Sequence, residues 1–316
     1  MPVTASMKIT LAENFRAIFY APFYALKAFD LAGREGLEIE WLPPRTPGVA
    51  FDEVKRGAVD LTWGGPMRVL KDHDRQPPHE SSLVCFGEVV SRDPFYLVGN
   101  ADAASFELSA LTGLRLGIVS EVPTPWLCLL ADLQDAGFDV ATVADTIHIE
   151  SGLTMPRQLR SLREGTLDVC QLFEPYVSEA VADGAGRVLY AACERGPTVY
   201  TTFICSRGSV SRHHDAFVAL TRALRKLQEW IAVCDPEHLA DIVAPFFPDV
   251  PAAVFRSSIR RYHRAGIWAR HPEVSAEGFA RLAYSLHAGR FITSPGNYAA
   301  CVHHFDGTTI RDHVAH

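Results

Sequence analysis

The chain has 316 residues, 48% of them hydrophobic and 21% charged, and a formal net charge of −7. That is too apolar for intrinsic disorder and long enough for two compact α/β lobes. Its 30 Lys+Arg are scattered rather than striped, which excludes the basic surface that nucleic-acid phosphates require. A small-molecule partner is the expectation.

Strand and helix patterns alternate along the chain, the mark of a mostly parallel sheet covered by helices. Residues 8–12 read as a strand running into Asn14, and residues 22–33 as a helix stopped by a glycine. Residues 37–42 form a second strand; a turn rich in proline, a short helix over 49–56 and a strand over 58–62 follow, and a helix opens at Gly64-Gly65-Pro66. From 82 to 98 the pattern is nearly continuous strand, interrupted by Ser91-Arg92-Asp93-Pro94, as suits a crossing between lobes. A second unit repeats the logic, with strands over 114–119, 146–149, 167–173 and 187–190 and helices over 124–136, 155–164 and 175–182. Residues 198–205 make a return strand. The rest is helical: 215–233 carries an apolar stripe, and Asp235-Pro236-Glu237 is a helix-capping signal.

No window approaches the roughly 20 apolar residues that a membrane helix needs. The start of the chain shows no basic segment followed by a long apolar stretch, so the expected compartment is the cytoplasm for the chain as written, and the periplasm if a leader was removed. The seven cysteines are widely spaced with no CxxC pair and read as buried thiols. His213-His214, His303-His304, Asp306, His313 and His316 lie outside the strand-end loops and read as solvated surface, so no metal and no cofactor is expected.

The ordered set Leu37-Glu38-Ile39-Glu40, Gly57-Ala58-Val59-Asp60-Leu61, Leu114-Arg115-Leu116-Gly117-Ile118, Gly165-Thr166-Leu167-Asp168-Val169 and Phe173-Glu174-Pro175-Tyr176 resembles the SsuA/THI5-like family over about residues 7–235. That family comprises the substrate-binding proteins of nitrate, sulfonate and pyrimidine importers. The resemblance implies a type II periplasmic-binding-protein fold: two lobes, each with a mostly parallel sheet, two interlobe crossings and a helical C-terminus. Residues 1–91 and 199–316 are expected to form one lobe and 92–198 the other, hinged at 91–94 and 197–201.

Open parallel sheets bind ligands beyond the carboxyl ends of their strands. That rule selects Asn14, Arg16, Phe19 and Tyr20 after the first strand, and Trp63, Gly64 and Gly65 after the third. It also selects Arg92 in the crossing, Ser120, Glu121, Thr124 and Trp126 after the second unit's first strand, and Glu174 and Tyr176 after its third. Tyr200, on the return strand, is a further candidate for ligand binding. Phe15, Phe19, Tyr20 and Phe23 equally fit core positions at helical spacing, and Thr124 a helix cap. Glu174 reads as a capping carboxylate or, by the resemblance, as the acceptor for a ligand amino group. Arg16 or Arg92 would pair with a carboxylate or sulfonate, and the aromatic residues would stack on a ring. The expected ligands are an aminopyrimidine, a sulfonate or an aromatic acid, and the expected partner is an ABC permease.

Enzymes with this fold supply the alternative. In a pyrimidine synthase of the fold, a histidine on the helix after the third strand works with a cysteine cluster; here Arg68 occupies that position and the cluster is missing. A sulfinate desulfinase places a nucleophilic cysteine near the end of the first strand, where this chain has Asn14 and Phe15, although Gly64-Gly65 matches its double glycine. No GxSxG elbow, P-loop or dinucleotide fingerprint occurs in a strand-to-helix context. The alternative to an importer's binding protein is therefore a cytoplasmic, cofactor-free decarboxylase or desulfinase-like lyase acting on an aromatic acid.

Overall fold

A computed structural model describes residues 7–44, 46–76, 81–100 and 106–306. Runs of β-branched and aromatic residues build two five-stranded sheets with the same strand permutation. The first joins β1 (Met7–Ala12), β2 (Leu37–Leu42), β3 (Leu61–Gly64) and β4 (Leu83–Val90) to β10 (Thr201–Ser206), which returns from late in the chain, in the order β2-β1-β3-β10-β4. The second joins β5 (Tyr96–Gly99), β6 (Arg115–Gly117), β7 (His148–Glu150), β8 (Val169–Leu172) and β9 (Arg187–Ala191) in the order β7-β6-β8-β5-β9. In each sheet three strands are mutually parallel, β1, β2 and β3 in the first and β6, β7 and β8 in the second. The strand arriving from the other lobe, β10 or β5, is antiparallel to both neighbours.

The helices in chain order are α1 (Ala21–Ala28), α2 (Leu31–Arg34), α3 (Val49–Lys55), α4 (Met67–Arg75), α5 (Thr124–Asp135), α6 (Val143–Thr146), α7 (Met155–Arg163) and α8 (Tyr176–Ala182). After β10 come α9 (Arg207–Arg212), α10 (His214–Ile231), α11 (Pro236–Val243), α12 (Ala252–Ala265), α13 (Ala276–Ala288) and α14 (Tyr298–Cys301). The expected helix over 22–33 is two pieces, because Asp30 adopts a left-handed φ of 47° between α1 and α2. Asp235 caps α11 by accepting the Glu237 N–H at 2.9 Å.

The near-continuous strand pattern over 82–98 is split between the lobes. β4 is buried along its whole length in the first sheet, and β5 crosses into the second. The chain passes between lobes again from β9 to β10. The C-terminal helices clasp the second lobe. The Tyr262 hydroxyl of α12 accepts the Glu174 N–H at 2.9 Å, the Ser285 hydroxyl of α13 accepts from Arg195 at 2.7 Å, and Arg281 donates to the Arg195 carbonyl at 2.6 Å.

All seven cysteines are free thiols, and six are buried. His213 is half-buried and sits 3.0 Å from the Asp60 carboxylate, so it is not simply solvated surface. His313 and His316 lie outside the described residues. Among the described residues no helix is long and apolar enough to cross a membrane.

Candidate functional site

The loops at the carboxyl ends of β1, β3 and β6 meet the two crossings at the lobe junction. Asn14, Phe19 and Tyr20 from the first loop, Gly65 from the third, Thr124 from the second lobe and Tyr200 before β10 line a cavity of about 40 Å³. Phe15 lines it too, as do Phe51, Met67, Arg68, Phe95 and Val122.

Local geometry explains how these groups are held. Gly48 has a φ of 102°, a conformation that disfavours a side chain, and its N–H donates to Asn14 Oδ1 at 3.2 Å. That bond fixes the Asn14 amide. A Cβ on Gly64 would lie 2.5 Å from the Phe51 ring and 3.2 Å from Asn14 Nδ2, so glycine there lets both side chains close on the strand end. Phe51 in turn carries the Arg68 guanidinium 5.0 Å from its ring centre.

Among the described residues Arg68 is the one cation lining this cavity. It is half-buried, and no hydrogen bond or ion pair to its guanidinium occurs among the described residues. Burial lowers its pKa, against the upward pull of Asp52 and Tyr20. It stands in the first turn of α4, where the helix dipole disfavours a cation unless an anion faces it. Tyr200 is 6% exposed and its hydroxyl has no partner among the described residues; burial pushes that phenol's pKa well up, so it stays a donor. Tyr20 is raised by burial as well, with polar groups of Thr201 and Asn14 acting in the opposite sense.

Other predicted residues lie apart from the cavity. Arg16 folds back on the buried Glu13 at 3.2 Å and on the Phe246 carbonyl at 3.1 Å. Trp63 is 1% exposed, stacked on Phe23 at 4.4 Å within the core. Ser120 donates to the Leu153 carbonyl, while Glu121 accepts the Met155 N–H at 2.9 Å and so serves the start of α7. Trp126 packs on the second lobe's core and Tyr176 against Phe173. Arg92 turns to the Cys193 carbonyl at 2.9 Å, in a different groove.

Glu174 is fully buried, with every donor to it supplied by the protein. Its carboxylate accepts the Ser178 N–H and hydroxyl, each at 2.9 Å, the Ser258 hydroxyl at 3.1 Å and Arg261 Nε at 2.7 Å. It caps the start of α8 and locks that helix to α12. Burial raises its pKa, with Arg261 and Ser178 opposing.

Among the residues that sequence reasoning passed over, Arg68 had a usable signal: a cation at the opening of a helix, three residues after a double glycine. Phe51, Met67 and Phe95 had none, since an apolar residue lining a cleft looks like core.

Residues 91–245 match the model of the NMT1-like family. The protein YtlA of Bacillus subtilis (strain 168) is 22% identical over 266 residues, covering 84% of this chain and 78% of that protein. The periplasmic aliphatic sulphonate-binding protein SsuA from Escherichia coli superposes with a TM-score of 0.73 at 15% identity, over 98% of this chain and 97% of that one. The periplasmic nitrate-binding protein NrtA from Synechocystis PCC 6803 gives 0.61 at 13% identity, over 94% and 84%. At such identities the structural likeness establishes the fold: a two-lobed, type II binding-protein architecture.

Proposed function

We propose that this chain, a member of the SsuA/NMT1-like family, is the substrate-binding component of an ABC-type importer and closes on a small organic anion, a sulfonate or carboxylate, at Arg68. The observation that carries this reading is a half-buried guanidinium facing an interlobe cavity with no ion-pair partner among the described residues, beside the Asn14 amide and the Tyr200 hydroxyl, which is likewise unpartnered among them. A desolvated cation costs free energy unless paired, and a planar oxyanion can accept from a guanidinium at two points. Phe19, Tyr20, Phe51 and Phe95 supply apolar and aromatic walls for the rest of the molecule.

A space of about 40 Å³ holds little more than a polar head group, so ligand entry requires the lobes to part. We place the lobes at 1–91 with 199–316 and at 92–198, with hinges at 91–94 and 197–201. On this reading the protein works in the periplasm, where the Escherichia coli relative is found, and presents its closed form to a permease.

Calorimetric titration with alkyl and aryl sulfonates and carboxylates tests the reading. Saturable one-to-one binding that weakens at least tenfold in Arg68→Ala is the expected result. Binding that Arg68→Ala leaves unchanged, or conversion of a bound acid to product during incubation, overturns it.

A further inference from the structure

A second concavity lies at the lobe junction and shares no lining residue with the cleft. It measures about 620 Å³. One wall is the α12 face carrying Arg260, Arg261 and Arg264; the other is the first crossing and the end of β9, with Arg92 and Glu194. Four guanidiniums therefore converge on one groove of a chain whose net charge is −7.

The carboxylates around them do not use that charge up. Glu174 is committed to α8 and Arg261, and Glu237 divides itself between Arg256 at 2.9 Å and Arg260 at 3.4 Å. Arg92 donates to a carbonyl, and neither it nor Arg264 forms an ion pair among the described residues. The dipole of α12 favours Arg264 in its last turn, but it gives no reason for Arg92 on the opposite wall.

Tyr96 adds an independent sign. It lines the same groove, is 4% exposed, packs its ring under Arg261 at 5.9 Å, and its buried hydroxyl has no hydrogen-bond partner among the described residues. A buried hydroxyl beside guanidiniums is a donor awaiting an oxygen acceptor.

We propose that this groove is a second ligand site, taking a small multivalent oxyanion of diphosphate or tricarboxylate size held by Arg92 on one wall, Arg260 and Arg264 on the other, and the Tyr96 hydroxyl. The volume is within the range of small-molecule sites and larger than one tetrahedral anion needs, and contact with both walls calls for more than one anionic group. Guanidiniums bind phosphate and carboxylate at paired oxygens, so both chemistries fit.

The test is titration of the whole protein by calorimetry with inorganic pyrophosphate and, in a separate arm, citrate, at an ionic strength held constant with sodium chloride. The site predicts saturable one-to-one binding of at least one anion, the tighter arm naming the chemistry. Affinity falls at least tenfold in Arg264→Ala and in Arg92→Ala, and stays within twofold of wild type in Arg68→Ala. Arg264 is exposed, so its variant decides the matter if Arg92→Ala fails to fold. The absence of saturable binding of either anion, or binding lost in Arg68→Ala but kept in Arg264→Ala, overturns the site. The second result would move the anion into the cleft, so this proposal fails separately from the cleft reading.

Discussion

Glu174 and Arg68 both stand at the lobe junction with their charges drawn out of water, yet their surroundings differ. Four donors surround the Glu174 carboxylate, drawn from α8 and α12. Arg68 lies against the face of Phe51 and forms no hydrogen bond or ion pair among the described residues. Burial is thus no guide to a binding group here; satisfaction is. A buried charge whose partners are complete holds the protein together, and one left without them is set for something that arrives later.

The largest effect expected from this contrast is on stability. Glu174→Ala removes a helix cap and several charge-assisted hydrogen bonds, so urea denaturation should show a loss of about 3 kcal/mol. A loss below ~1 kcal/mol would erase the distinction drawn above.

Glu88 is an intermediate case. One oxygen accepts the Ser275 N–H at 2.7 Å, the other has no partner among the described residues, and burial holds its pKa up to about 7. An acid whose pKa is raised on folding keeps its proton longer in the folded than in the unfolded chain. Its contribution is therefore greatest below the ordinary value of 4.5 and is lost as the pH rises to about 7. The change amounts to about 3 kcal/mol. Denaturation measured across that window should give a flatter profile for Glu88→Gln than for wild type.

Gly64→Ala should cost about 1–3 kcal/mol, since the new methyl must displace the buried Phe51 ring, and it should also weaken cleft binding by removing the support under Arg68. The smallest stability effect belongs to Arg68→Ala. Deleting a cation with no ion-pair partner among the described residues should leave the unfolding free energy nearly unchanged, within about 0.5 kcal/mol. A marked loss there would mean that Arg68 is a structural residue after all.

Part of this was readable from the chain. The alternation of apolar runs with helical periods marked both units, the interruption at Ser91-Arg92-Asp93-Pro94 marked the crossing, and Asp235-Pro236-Glu237 marked the start of α11. For the site, five residues selected by the rule of strand carboxyl ends, Asn14, Phe19, Tyr20, Gly65 and Thr124, line one cavity. The same rule also selected Arg16, Glu121 and Glu174, whose side chains turn to Glu13, to the start of α7, and to α8 with α12.

Periodicity, turn residues and helix ends are local, because a strand or a cap is specified by side chains a few positions apart, and these the sequence by itself determined. Partnership is not local. The donor that completes Glu174 comes from Arg261, 87 positions away, and the N–H that fixes Asn14 comes from Gly48, 34 positions away. Only the tertiary structure decided which polar groups were satisfied, since a hydrogen bond depends on atoms meeting within about 3 Å and no spacing in the chain records that meeting.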